Sequence, residues 1–107
     1  MDPFELGYCI GLIVGEGCFA WHHKAKQIVC LRVHLHMEDP EPLDALQRCF
    51  GGKLYGPYHS NGRHFLCWVL VGTALKTAAP VLFQHMPVCK KRRQMEAIWE
   101  AAGYAAS

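Results

Sequence analysis

The hydrophobic pattern switches several times between the periodicity of a helix and that of a strand. Residues 3–15 are almost entirely apolar, and Asp2 and Pro3 suit the cap and first turn of a helix that ends near Gly15. Residues 27–37 instead alternate strictly, which is typical of a strand. Its two faces carry Val29, Leu31, Val33 and Leu35 on one side and Cys30, Arg32, His34 and His36 on the other.

Similar patterns predict the remaining elements. Strands are expected at 18–24, 53–58 and 63–71, and helices at 39–50, 73–86 and 89–103. The order is helix, two strands, helix, two strands, and two helices. It predicts one α+β domain over residues 1–107, with a four-stranded antiparallel sheet and the helices on one face.

Composition adds few constraints. The net charge is only +2 with seven histidines counted as neutral, so charge alone argues weakly for a nucleic-acid partner, and histidine protonation would make that preference depend on pH. The six cysteines have no CxxC spacing, which favours reduced thiols in a cytosolic compartment. The acidic start MDPFELG shows no secretion signal, and Glu16 interrupts the longest apolar run, so we expect an intracellular protein without a membrane span.

The first helix carries a glycine every four residues, at Gly7, Gly11 and Gly15. Glycine costs about 1 kcal/mol per residue inside a helix, so a stripe of three needs a physical reason. One tight contact within the chain would explain it. A second helix packed backbone to backbone explains it equally well, and a two-fold dimer allows the stripe to meet itself.

Glu16 lies at the C-terminal end of this helix, where the helix dipole disfavours a carboxylate unless a cation neutralises it. A carboxylate with a helix-end carbonyl provides the hard oxygen ligands that Mg²⁺ prefers. The alternative is a solvated glutamate in a turn.

Three stretches of the chain together resemble one family. CIGLIVGEGCF at 9–19 is similar to the LAGLIDADG motif of homing endonucleases, in a variant with a GEG core. LHMEDPEPLDALQRCFGG at 35–52 resembles the family's passage from the second strand to the middle helix, and MPVCKKRRQMEAIW at 86–99 resembles the opening of its last helix. The family's αββαββα core has the order of elements predicted above.

The resemblance implies a site-specific double-strand DNA endonuclease, associated with intron or intein mobility, that hydrolyses phosphodiester bonds at a long, near-palindromic target. With one motif per chain, it implies a homodimer whose interface includes Gly7, Gly11, Leu12 and Gly15. Glu16 would bind the catalytic Mg²⁺ with the Gly15 carbonyl as a second ligand, and Lys91 would support catalysis, with Lys90 the next candidate. Mn²⁺ would substitute for Mg²⁺, and Ca²⁺ would bind without cleavage.

Two positions depart from the family pattern. Val14 replaces the first acid of the motif, and Met37 stands where a polar residue usually ends the second strand near the metal. These departures leave open a DNA- or RNA-binding module, or an intron maturase, that has the same fold but weakened cleavage.

In the family, the outer face of the sheet lies over the DNA major groove. Arg and Lys can read guanine there, and His or Tyr can donate to bases or phosphates. The expected DNA-binding residues are His22, Lys24, Arg32, His34, His36, Lys53, Tyr55, His64 and Trp68 on the sheet, with Lys90 at the last helix. An ordinary solvated sheet face is the alternative for any one of them. A third class is a histidine-rich metal-binding protein that uses His22, His34 and His36.

Overall fold

The computed structural model describes residues 2–22, 25–36 and 40–104. Within these ranges, the bounds of the elements are α1 Pro3–Glu16, β1 Gly17–His22, β2 Ala25–His36, α2 Glu41–Phe50, β3 Lys53–Ser60, β4 Arg63–Val71, α3 Thr73–His85 and α4 Lys90–Ala101. Both the predicted order of elements and the α+β fold class are confirmed.

The described strands form one antiparallel sheet in the order β1-β2-β4-β3, so β2 and β4 are central. β3 and β4 are joined at Asn61 and Gly62, which have left-handed φ values of 51° and 76°. A two-residue turn of this kind matches the twist of the paired strands. β3 therefore continues two residues beyond its predicted end, to Ser60.

The core lies between one face of the sheet and the helices. The strands contribute Phe19, Val29, Leu31, Val33, Trp68 and Leu70, and the helices contribute residues such as Ile13, Leu46, Leu82 and Trp99. Because side chains alternate along a strand, Arg32 and His34 on β2 lie on the opposite face, here called the outer face.

The predicted bounds of the fourth strand, 63–71, are confirmed, but the prediction that Trp68 and His64 lie on its outer face was wrong. Trp68 pairs with Val33 on the core side, is fully buried, and donates its indole N–H to the Gly51 carbonyl at 2.8 Å. His64 has the same parity as Trp68 and lies at the hairpin end, edge-on to His59 with 4.2 Å between ring centroids. A shift of one residue exchanges the faces of a strand, and RHFLCWVLV is too apolar on both faces to fix its own register.

Two interactions stabilise α1: a hydrogen bond caps its N-terminus, and an ion pair joins its side to α2. The Asp2 carboxylate accepts a hydrogen bond from the Phe4 N–H at 2.9 Å, as a helix cap. Arg48 of α2 reaches Glu5 at 2.8 Å, which joins the two helices at the surface. The predicted cap of α2, Asp39, lies outside the described residues. No helix within the described ranges has the length and apolar character needed to cross a membrane.

Candidate catalytic centre and nucleic-acid interface

The end of α1 forms a sharp corner at Glu16 and Gly17. Glu16 is exposed and is the last residue of the helix, and the buried Gly17 opens β1. The Gly17 N–H donates to the Ile13 carbonyl, and a Cβ at Gly17 would lie only 2.6 Å from that oxygen. The second glycine of the GEG core is therefore required by a close backbone approach, which fixes Glu16 at the surface of the corner.

Lys91 approaches the same corner from the first turn of α4. Its ammonium group donates to the carbonyl of Gly17, the residue that follows Glu16. Lys90, Val14 and Gln94 line a depression of about 390 Å³ together with Lys91. Sequence reasoning missed Gln94, although residues three apart on a helix share a face and Gln94 follows Lys91 at that spacing.

The remaining cations of the CKKRR stretch have different surroundings. Arg92 donates to the Met86 carbonyl at 2.6 Å and to Glu96 at 2.8 Å, so it anchors the start of α4. Lys90 and Arg93 are exposed. The basic stretch thus combines anchoring contacts with cations that face solvent.

The oxygen donors at the corner suit a hard cation. Glu16 offers a carboxylate and Gly15 a backbone carbonyl, the kind of ligands that Mg²⁺ uses while it keeps several waters. Across the described residues, no three His, Cys, Asp or Glu side chains lie close enough to hold a metal ion. A metal at Glu16 would therefore need oxygen ligands beyond that set, such as phosphate, water or a second copy of the chain.

One side of α1 is exposed in the described chain, and this free face of α1 consists of Phe4, Gly7, Tyr8, Gly11 and Gly15. A Cβ added at any of the three glycines would meet no atom of the described residues within 4 Å, so a tight contact among those residues does not explain the stripe. Phe4 and Tyr8 are 89% and 48% exposed. Leu12 lies at the margin of this face, partly buried against the core.

Most of the predicted DNA-binding residues that the structure describes lie on the outer face of the sheet. Arg32, His34 and His36 line β2, while Lys53 and the 43%-exposed Tyr55 line β3. Trp68 and His64 do not belong to this face, as shown above. Lys24 and the His22 side chain lie outside what the structure describes, and so does Met37.

The outer face also carries residues that sequence reasoning missed. Phe65 and Cys67 of β4 pair with His36 and His34, and Tyr58 of β3 pairs with Phe65. Burial raises the pKa of the Cys67 thiol, while the nearby Arg32 opposes this shift. That thiol therefore stays protonated at neutral pH and adds no negative charge to the face.

Solved structures share this fold. The homing endonuclease I-TnaI superposes with a TM-score of 0.71 at 20% sequence identity, covering 91% of this chain and 70% of that chain. The archaeal intron-encoded homing endonuclease I-Vdi141I, solved in complex with DNA, has a TM-score of 0.68 at 20% identity, covering 96% of this chain and 69% of its own. The I-LtrWI LAGLIDADG homing endonuclease, solved bound to target DNA, has a TM-score of 0.69 at 13% identity.

The match with I-LtrWI covers 96% of this chain but only 37% of the I-LtrWI chain. A scan against protein-family models finds no match, and a search of curated proteins finds none either. The chain therefore has the fold of LAGLIDADG homing endonucleases, as the sequence resemblance predicts.

Proposed function

We propose that this chain is a LAGLIDADG-type DNA endonuclease that works as a homodimer and cuts both strands of a specific duplex. The observation that carries the proposal is the corner at the end of α1. There an exposed carboxylate, Glu16, directly precedes Gly17, whose carbonyl accepts a hydrogen bond from Lys91. The shared fold supports the same conclusion.

The free face of α1 supports the dimer. Glycines without a neighbour leave room for a second backbone, and the exposed Phe4 and Tyr8 would be covered by it. A two-fold axis through this face would bring the two Glu16 side chains toward one another. Each copy would then contribute one carboxylate and one Lys91 to the cutting of one strand.

The roles of the residues follow from their chemistry. Glu16 and the Gly15 carbonyl would hold Mg²⁺, with Mn²⁺ as a substitute and Ca²⁺ as a non-cleaving occupant. When bound, the metal supplies Lewis-acid stabilisation of charge on the scissile phosphate. Lys91 would place its positive charge beside the same phosphate. The outer face of the sheet would hold the duplex through Arg32, Lys53 and the exposed rings.

A binding protein without cleavage is the second candidate. Its support is Val14, which places an aliphatic side chain in the depression beside Lys90 and Lys91 where the family has an acid. This candidate predicts specific DNA or RNA binding without cut ends. The two candidates are separated by cleavage, because both bind nucleic acid.

The test is a cleavage and binding assay on a library of duplexes with a randomised insert. With Mg²⁺ we expect cut ends at one enriched sequence, and with Ca²⁺ we expect binding alone. Glu16→Gln should lower the cleavage rate by about two to three orders of magnitude or more, because a charge that stabilises the transition state is lost, while binding persists. Glu100→Gln is the matched control, since Glu100 is also exposed but lies on the last turn of α4.

Near wild-type cleavage by Glu16→Gln would falsify the catalytic assignment. Specific binding by the wild type without any cut product would favour the second candidate.

In the same assay, Lys91→Met should slow single-turnover cleavage by about 100-fold, and Lys90→Met should slow it far less. Equal loss in the two lysine variants would remove the special role of Lys91.

A further inference from the structure

On the outer face of the sheet, one aromatic side chain contacts two others. The Phe65 ring of β4 lies 5.4 Å from the Tyr58 ring and 5.8 Å from the His34 ring, centroid to centroid. Tyr55 lies on the same face, where it pairs with Cys67. We call His34, Tyr58 and Phe65 the outer aromatic cluster. It crosses three adjacent strands and faces away from the core.

A local irregularity in β3 places two tyrosines on this face. Residues three apart on a regular strand point to opposite faces, so Tyr55 and Tyr58 would be separated by the sheet. The pairing register shifts between them at Gly56 and Pro57, and both tyrosines then face outward, each 43% exposed. Gly56 has a φ of 112°, and a Cβ there would lie 3.0 Å from the Phe65 carbonyl oxygen. A bulge of this kind redirects a side chain, and here it extends the aromatic surface.

Positive charge borders the cluster. Arg32 of β2 and Lys53 of β3 both pair with Val69 of β4, so they flank one position of the central strand on the outer face. The four strands contain no Asp or Glu between their described bounds. An apolar surface with cations at its border and no carboxylate in its strands complements a polyanion that presents apolar groups.

In the DNA major groove, the C5-methyl group of thymine is the apolar group available to a side chain. An aromatic ring cannot form the paired hydrogen bonds by which Arg or Asn identify a base, but it can exclude water from a methyl group. We propose that the outer aromatic cluster selects thymine in each half of the target duplex, through apolar contact with thymine methyl groups, while Arg32 and Lys53 contact the flanking base or phosphate.

This inference rests on the proposed function, because it assigns a base preference to a duplex that the sheet must first bind. The first step of the test is selection of bound duplexes from a randomised pool, with Ca²⁺ in place of Mg²⁺ to prevent cutting. The inference predicts that thymine is enriched at two or more neighbouring positions, symmetrically in both half-sites.

The second step replaces those thymines with uracil, which removes the methyl group and keeps the hydrogen-bonding edge. Burial of one methyl-sized group corresponds to about a fourfold change in affinity, so the uracil duplex should bind about fourfold more weakly for each contacted methyl. Phe65→Ala and Tyr58→Ala should bind the thymine and uracil duplexes with nearly equal affinity. Trp21→Ala is the matched control, because Trp21 is a 39%-exposed aromatic residue on the other face of the sheet.

Failure of the methyl contact and failure of the proposed function give different results in this test. Tight binding to a selected duplex with equal affinity for thymine and uracil would overturn the methyl contact and leave the proposed function standing. An outer face that docks a protein instead of DNA would enrich no duplex from the pool. If the folded wild type enriches no duplex from the pool, the proposed function fails and this inference fails with it. Circular dichroism of Phe65→Ala and Tyr58→Ala shows whether each variant is folded, and either one alone suffices for the comparison.

Discussion

At the scale of single residues, the two glycines on either side of Glu16 have opposite surroundings. Gly15 has open space where a Cβ would be, whereas a Cβ at Gly17 would lie 2.6 Å from the Ile13 carbonyl oxygen and 3.2 Å from its carbonyl carbon. The sequence motif contains both glycines, but only the structure separates their functions. The missing side chain of Gly17 allows the close backbone approach at the corner, and that of Gly15 leaves space for a second helix to pack.

This difference predicts opposite effects of alanine. Gly17→Ala should lower the free energy of unfolding by about 1–3 kcal/mol, because the backbone of the helix end must shift. Gly15→Ala should raise it by up to about 1 kcal/mol, through better helix propensity without a clash. Urea denaturation at protein concentrations where the chain is monomeric measures both. Equal destabilisation by the two substitutions would contradict the close approach at Gly17.

Cys9 shows how burial changes the chemistry of a residue. Its thiol is fully buried on α1 and donates to the Cys49 sulfur of α2 at 3.3 Å. Burial, together with the hydrogen bond and charge of Cys49, raises the pKa of Cys9 from 9.0 to about 12. The unfolded thiol therefore loses its proton at a lower pH than the folded one.

Because the Cys9 thiol ionises at a lower pH in the unfolded chain, an alkaline pH favours unfolding. The contribution of Cys9 to stability is fully present below pH 9 and is lost as the pH rises toward 12, at about 1.4 kcal/mol per pH unit. Urea midpoints measured between pH 7 and pH 10.5 should fall in the wild type above pH 9. They should fall less steeply in Cys9→Ala, which cannot ionise there. Parallel curves for the two proteins would show that Cys9 does not ionise on unfolding.

At the scale of elements, α1 is the helix whose sequence left two explanations for its glycines. Its core-facing side is ordinary, with Cys9, Ile10 and Ile13 buried. Its free face combines three unpartnered glycines with the exposed Phe4 and Tyr8. Periodicity could place the glycines on one side of the helix, but it could not show whether another part of the chain covers that side.

Gly11→Leu tests the free face directly. A leucine side chain there should hold two α1 helices apart and weaken dimerisation by at least about 100-fold, since backbone contact depends on small residues. The monomer should stay folded, because a Cβ at Gly11 meets no atom within 4 Å in the part of the chain that the structure describes. Sedimentation velocity with and without duplex DNA gives the association state. Ala97→Leu, at an exposed position of α4, is the matched control. A wild type that stays monomeric even on DNA would contradict the dimer.

β2 and β4 show which strands can be predicted from sequence. The strict alternation of β2 predicted its faces correctly, with Val29, Leu31 and Val33 buried against the helices. β4 has apolar residues on both sides, so the choice between Phe65 and Trp68 for the outer face depended on pairing with β2. The bulge that turns Tyr58 outward depends on the same long-range pairing. The aromatic cluster could not be predicted from local pattern for this reason.

At the scale of the whole molecule, the order of elements and the α+β fold could be predicted because each element has a strong local signal. The residues of the proposed catalytic corner could also be predicted, since the resemblance assigned Glu16 to the motif and Lys91 to the start of the last helix. Their approach through the Gly17 carbonyl required the structure. The two-fold symmetry of the proposed dimer cannot be predicted from one chain, because the free face of α1 and Glu16 each need a second copy to complete their proposed roles.

The most direct measurement of the central claim uses a dimer with one active copy. A supercoiled plasmid that carries the selected target is incubated with Mg²⁺ and one of three proteins: the wild type, Glu16→Gln, or a mixed dimer of the two isolated through different affinity tags. We expect the wild type to linearise the plasmid, Glu16→Gln to leave it supercoiled, and the mixed dimer to stop at the nicked circle, because one copy cuts one strand. A mixed dimer that linearises the plasmid at the wild-type rate would contradict the account.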